Sequence, residues 1–192
     1  MRFRRIEHDV SQFPGPRRAL YSKIFTSHHI RVLLSTELGQ ADRDSIWTLF
    51  ETNMFVLYSQ SSFGWNPSSK QDELFHSLSR FILIDIDGKL AAFSTFRFEV
   101  EEDENVIYCY DLQIQSAYRR KGLGKMLMQI LEKIGAAWGM EKVMLTVFKG
   151  WALSTSLPPD ISVPQIANQN AIKFYRTAGW VLIPSISSCD IC

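Results

Sequence analysis

Tyr110-Asp111-Leu112-Gln113-Ile114, followed after a short connection by Arg119-Arg120-Lys121-Gly122-Leu123-Gly124-Lys125, is the stretch on which the reading of the chain turns. The first piece has the composition of a strand, and from Gly122 to Trp138 the residues Leu123, Met126, Leu127, Ile130, Leu131 and Ile134 recur at helical spacing. The predicted helix therefore opens on two glycines preceded by three cations. The N–H groups of a first helical turn have no intrahelical acceptor and the helix dipole is positive there. Gly122 and Gly124 let the oxygens of an anion come close to the backbone. The unit reads as a strand–loop–helix anion site, although a basic helix cap with a glycine turn would use the same residues. It is neither the GxxxxGK[ST] phosphate loop nor the GxGxxG dinucleotide fingerprint, since neither pattern is present.

Upstream, Arg80 begins a strand-type run, FILIDI, which turns at Asp87-Gly88 into KLAAFSTFRFEV and, after an acidic turn, into NVIYCYDLQI. That pattern predicts three antiparallel strands. Earlier still, residues 29–38 (HIRVLLSTEL) read as a strand, and residues 42–58 carry Ile46, Leu49, Phe50, Met54 and Leu57 at helical spacing. Residues 59–69, with Phe63, Gly64, Trp65 and Pro67, read as a loop. Downstream, residues 142–148 (KVMLTVF) form a buried strand, residues 168–178 a second helix stopped by Gly179, and a last strand begins near Trp180. The order predicts an α+β fold, a mixed central sheet flanked by helices with a parallel pair in its middle.

At 192 residues and 46% hydrophobic, the chain is long enough for one domain with a real core. Residues 1–24, which include Pro14, Pro16, Arg17 and Arg18, read as a basic arm, residues 25–192 as the domain, and residues 149–166 as an inserted loop. With 21 Lys and Arg against 20 Asp and Glu, overall charge gives no reason to expect direct nucleic-acid binding. No apolar run approaches the roughly 18 residues of a membrane span and no secretory signal opens the chain, so an intracellular, soluble protein is expected. Of the three cysteines, Cys109 lies in a strand, and Cys189 with Cys192 offers two ligands where a structural zinc needs four, so no metal is expected.

A second segment, Asn168, Ala171, Phe174, Tyr175, Gly179 and Trp180, stands in the spacing NxxAxxFYxxxG followed by an aromatic, and Arg119, Gly122 and Gly124 stand in [Q/R]xxGx[G/A]. Together, in this order, they resemble the GNAT acetyltransferase family. The resemblance implies the acyl-CoA N-acyltransferase fold and acetyl-CoA as donor. It also implies that the backbone of Leu112, Gln113 and Ile114 meets the pantetheine arm, that Arg119, Arg120, Lys121, Gly122, Leu123, Gly124 and Lys125 hold the pyrophosphate, and that Asn168 anchors the cofactor further along.

The runs YCYDLQIQSAYRRKGLGKMLMQILEKI, KVMLTVFK and TNMFVLYSQSSFGW narrow the likeness. From about Thr52 to Ile183 the chain resembles the NatD group, which acetylates the Ser-Gly-Arg-Gly amino termini of histones 4 and 2A. That resemblance implies peptide contacts at Tyr58, Phe63, Glu99, Val100, Glu101, Tyr110 and Thr146, a monomer, and a place in cytoplasm and nucleus. The chain departs from the group in the 149–166 insertion, in Phe63 where Trp is usual, and in ending at Cys192, ahead of the group's closing strand.

Acyl transfer to an amine needs a neutral nucleophile and a proton for the departing thiolate. An α-amino group titrates about 2.5 units below lysine, so a weak base suffices for it. Asp111 and Glu99 are the candidate bases, acting directly or through a water, and Tyr175 is the candidate acid. Glu99 and Glu101 share a strand face by alternation and suit the third-position Arg of such a tail. The rival readings are an acetyltransferase for lysines or small amines and a weakly catalytic module that binds CoA and histone tails.

Overall fold

Alternating apolar residues interrupted by two tight turns dictate a meander, and the sheet has that order. The computed structural model describes residues 29–61, 63–101, 103–145, 173–175 and 177. Its elements are β1 (His29–Leu34), α1 (Gln40–Ser59), α2 (Pro67–Leu74), β2 (Arg80–Ile86), β3 (Lys89–Glu101), β4 (Glu104–Ile114), α3 (Leu123–Ala137) and β5 (Lys142–Leu145). The strands lie in the order β1-β2-β3-β4-β5. The pairs from β1 to β4 are antiparallel, and β5 runs parallel to β4 after the α3 crossover. At the β2–β3 turn Asp87 and Gly88 take φ of 51° and 73°, as a two-residue hairpin of this kind requires.

By packing, the chain divides into two compact units. One comprises Arg4–Asn53 with Asn66–Leu145 and holds the five described strands. The other comprises Met54–Trp65 and Thr146–Cys192, with Met1–Phe3. The basic arm over residues 1–24, the 149–166 insertion, Thr146, Asn168, the Cys189/Cys192 pair and the strand expected from Trp180 lie outside the described residues. Of the second predicted helix, Lys173–Tyr175 and Thr177 are described, and they are helical.

Two expectations need correction. The first strand ends at Leu34, not Leu38, because Ser35–Glu37 form a 3-10 turn. The Glu37 carboxylate accepts from the Leu34 N–H at 2.8 Å, and Ser35 donates its N–H to Ser79 O and its hydroxyl to Phe75 O. These local bonds compete with further strand pairing. The loop expected up to Ser69 instead yields to helix α2 at Pro67. Asn66 Oδ1 accepts from the Ser69 N–H at 3.1 Å, and Pro67 occupies the first turn.

The sheet is covered on both faces. On one, α3 buries Leu123, Leu127, Ile130, Leu131 and Ile134, and Trp138 at its end meets Phe98. On the other, Phe81 and Phe93 stack toward Phe75 at the end of α2. Arg31 on β1 ties the meander to α1, holding Asp42 with two bonds of 2.8 and 2.9 Å and Asp85 at 2.9 Å.

One irregularity in the ladder sets the direction of the side chains near the end of β4. Phe96 pairs with Cys109, but the next β3 residue, Thr95, pairs with Asp111, so Tyr110 is an extra residue in β4. The bulge places two consecutive side chains, Tyr110 and Asp111, on the face that carries Thr95, Arg97 and Glu99. The described pairing of β4 with β5 ends at Cys109↔Leu145, where the bulge begins.

Candidate functional site

Beyond the bulge, no strand among the described residues pairs with the far edge of β4. The Gln115 N–H bonds Ala91 O at 2.9 Å, and antiparallel alternation then directs the backbone of Gln113 to β3 and that of Leu112 and Ile114 the opposite way. Ile114 O is already engaged, by Asn53 Nδ2 at 3.2 Å and by Arg119 Nε at 3.3 Å. Among the described residues, this leaves both Leu112 groups and the Ile114 N–H facing that edge. The Gln113 main chain pairs with β3, and its side chain bonds Asn53 and Asp111.

Where β4 ends, a 3-10 turn, Ser116–Tyr118, leads into the loop predicted to hold an anion. Arg120 takes φ of 61° and Gly122 φ of 86°, so the chain twice enters the left-handed region before α3. For Arg120 that conformation is sterically costly. Gly122 stands at the N-cap with no side-chain cap, and no acidic residue occupies the first turn of α3. Among the described residues the N–H groups from Arg120 to Lys125 find no acceptor. A helix start without a cap or a countercharge is fitted to an external anion. Arg120, Lys121 and Lys125 are exposed beside it, whereas Leu123 and Gly124 are buried and can offer only their backbone.

Asp111 is joined to this loop by a chain of hydrogen bonds. Gln113 Nε2 donates to Asp111 Oδ1 at 3.3 Å, Asn53 Nδ2 to Gln113 Oε1 at 3.0 Å, and Arg119 Nη2 to Asn53 Oδ1 at 2.6 Å. Asn53, on α1, is the residue the sequence reading missed. Nothing in its local pattern marks it, since its importance comes from the turn of helix that meets the end of β4. The Arg119 guanidinium is folded back onto this chain of bonds.

The electrostatics on the bulged face are asymmetric. Burial pushes the Asp111 carboxyl up to about 7 and the charge of Glu73 adds to the rise, while the Gln113 hydrogen bond and Lys70 pull against it. Tyr110 donates its hydroxyl to Glu99 Oε1 at 3.1 Å, meets the tilted ring of Tyr108 at 4.9 Å between centroids, and lies under the Arg97 guanidinium at 4.3 Å. Its phenol is pushed up to about 12, first by burial and then by Glu99, so it stays protonated. Glu99 and Glu101 are partly exposed, and Val100 between them pairs with Asn105. Asp111, Glu99 and Tyr110 thus come together on one face. Tyr58, Phe63 and Tyr175 belong to the other unit, where Tyr58 lies 6.0 Å from Trp65, Phe63 is 75% exposed, and Tyr175 is buried with its ring 5.0 Å from Phe174. Among the described residues no three acidic, His or Cys side chains gather as a metal site.

An anion-holding helix start, a strand edge suited to an extended amide chain, and a carboxyl near neutrality on the adjoining face are arranged for group transfer from a phosphate-bearing carrier. Residues 44–154 match the Acetyltransferase (GNAT) family. Among solved structures, the chain is similar to an integron cassette protein from the mobile metagenome of V. cholerae, at TM-score 0.57 and 20% identity over 83% of this chain and 89% of that one. It is also similar to a ribosomal-protein-alanine N-acetyltransferase from Brucella melitensis, at TM-score 0.53 and 16% identity over 82% and 93%. An aminoglycoside N-acetyltransferase in complex with CoA is similar at TM-score 0.51 and 13% identity over 81% and 88%. With its fold and the greater part of its length matched, the chain belongs to the GNAT acetyltransferase family.

Proposed function

We propose that the protein transfers the acetyl group of acetyl-CoA to the α-amino group of peptide N-termini, with the Ser-Gly-Arg-Gly tails of histones 4 and 2A as acceptors. The family draws its acetyl group from acetyl-CoA, which supplies the thioester when bound. The α3 loop, from Arg120 to Lys125, fits its pyrophosphate, and the Leu112 and Ile114 edge fits its amide-bearing arm.

The observation that carries the N-terminal reading is the β4 bulge, which turns Asp111 onto the face of Tyr110 and Glu99, where burial raises its carboxyl. Proton transfer is efficient when acceptor and donor are matched, and an α-amino group at about 8 is closer to such a base than lysine at about 10.4. In this reading Asp111 removes the ammonium proton, Tyr110 and Glu99 line the approach, and Glu99 with Glu101 receives the Arg of the tail. The acceptor implies work in cytoplasm and nucleus.

The test is a panel of acceptors assayed for CoA release. A free Ser-Gly-Arg-Gly peptide should exceed polyamines, and the same peptide with an acetylated Ser should be inert. Equal acetylation of a downstream lysine in the blocked peptide would replace this reading with a lysine acetyltransferase, and binding of both ligands without turnover would replace it with a recruiting module.

Two substitutions probe its parts. Gly122→Leu should raise KM for acetyl-CoA about tenfold while circular dichroism stays native, because a side chain there is strained and blocks approach to the backbone. Among the described residues, no atom outside its chain neighbours lies within 4 Å of where its Cβ would stand, so the described core is spared. An unchanged KM would sink the pyrophosphate assignment. Tyr175→Phe should lower kcat less than tenfold, below the hundredfold or so lost with an essential acid. A larger loss would give that hydroxyl the acid role.

A further inference from the structure

We propose that Thr95 is a positioning residue for proton removal, holding one water against the Asp111 carboxylate so that strands β3 and β4 together present the proton acceptor. The inference rests on the reading of Asp111 given above. Thr95 is completely buried, and its hydroxyl finds no hydrogen-bond partner in the protein, alone in this among the buried side-chain polar atoms of the described residues. Buried hydroxyls are nearly always satisfied, by protein or by ordered water. Thr95 is the direct cross-strand partner of Asp111. Such partners stand about 5 Å apart at Cβ and project to the same side, a separation one water can bridge. Gln113 occupies Asp111 Oδ1, which leaves Oδ2 for the water. The charged groups that act on the carboxyl are Glu73 and Lys70 of α2, the carboxyl acts in turn on the Cys109 thiol of β4, and Arg97, Glu99 and Tyr108 gather about Tyr110 on the same face.

Thr95 donates its O–H to the water oxygen and keeps that proton throughout. The water accepts a proton from the substrate ammonium as its own proton passes to Oδ2. The N–H bond breaks, the O–H bond of a carboxylic acid forms on Asp111, and the water is regenerated. A water that donates to the carboxylate also favours its charged form, so loss of the Thr95 hydroxyl moves the titration of Asp111 upward.

The test compares Thr95→Val and Thr95→Ser in the full chain by two measurements. One is kcat against pH with a Ser-Gly-Arg-Gly peptide. The other is the carbon-13 NMR titration of the Asp111 carboxyl, assigned with Asp111→Asn, which needs no acceptor. Thr95→Val keeps the shape and removes the hydroxyl that holds the water, so its circular dichroism should stay native. Its kcat should fall about tenfold and its Asp111 midpoint rise by about half a pH unit, while Thr95→Ser stays within about twofold of wild type. An unmoved midpoint in Thr95→Val overturns the proposal, whether or not activity falls. Should Thr95→Val not fold, Thr95→Ala reads the same titration. Full activity in Asp111→Asn, or no turnover of the peptide by wild type, would sink the functional reading instead, and the NMR titration would still decide Thr95.

Discussion

Asp111→Asn is expected to lower kcat by about a hundredfold or more, the range for loss of a general base, with a smaller effect on KM for acetyl-CoA. In the wild type, kcat/KM should rise with pH through about 7 as the carboxyl ionises, and that limb should vanish in the variant. The same shift has a stability signature. The carboxyl is raised from 3.8 to about 7, so the native protein keeps a proton that the unfolded chain has already lost. Below the lower value both states are protonated and the residue is neutral in the balance. Between the two values stability falls as pH rises, and above the upper one the full cost of a buried carboxylate is present. Asp111→Asn should therefore have a higher Tm than wild type at about pH 8, with an advantage that shrinks toward about pH 4. A variant with wild-type turnover would remove Asp111 from the mechanism.

The second large effect lies in selectivity. If Glu99 and Glu101 receive the Arg at the third position of the tail, changing that Arg to Ala should weaken wild-type kcat/KM by about 1.5 to 3 kcal/mol, the range for a hydrogen bond to a charged group. With Glu99→Gln and Glu101→Gln together, the same peptide change should cost much less, because the charged partner is already gone. Additive losses would refute the pairing. Both glutamates are partly exposed, so the cycle should be run at low and at moderate salt to separate screening from a missing contact. Tyr110 already bonds Glu99 Oε1, so Glu101 should carry the larger share when the two are changed singly.

The parts of this arrangement that are legible in the sequence are those written in local pattern. The alternation on either side of Asp87-Gly88 and the apolar period from Leu123 to Ile134 are enough for the meander and the crossover helix. Helix α2 escapes such a reading because its residues carry no apolar period. Its announcement is the Asn66-Pro67 cap, chemistry that marks where a helix begins and says nothing of its length or its buried face. The site is harder to read across the bulge. Counting by twos puts Asp111 on the face of Cys109, against α3, and only the extra residue in the ladder returns it to the face of Glu99. Asn53 and Thr95 are invisible for a related reason. One acts through the turn of helix that meets the end of β4 and the other through its cross-strand partner, and neither relation leaves a mark in neighbouring residues.

The Tyr110 bulge also bears on how such a site could arise. Because one residue is extra, every pairing on either side of it, Phe96 with Cys109 and Thr95 with Asp111, is already that of a regular ladder. Gain or loss of a single codon there leaves the hydrophobic parity of both flanks intact, unlike an insertion elsewhere in a half-buried strand, which turns the core outward. An ancestral sheet could thus acquire a second polar side chain next to Asp111 in one genetic step without first passing through a misfolded chain. Lineages that dropped the codon would keep the scaffold and lose the phenol, so the length of β4, more than its composition, is the trait to compare among descendants.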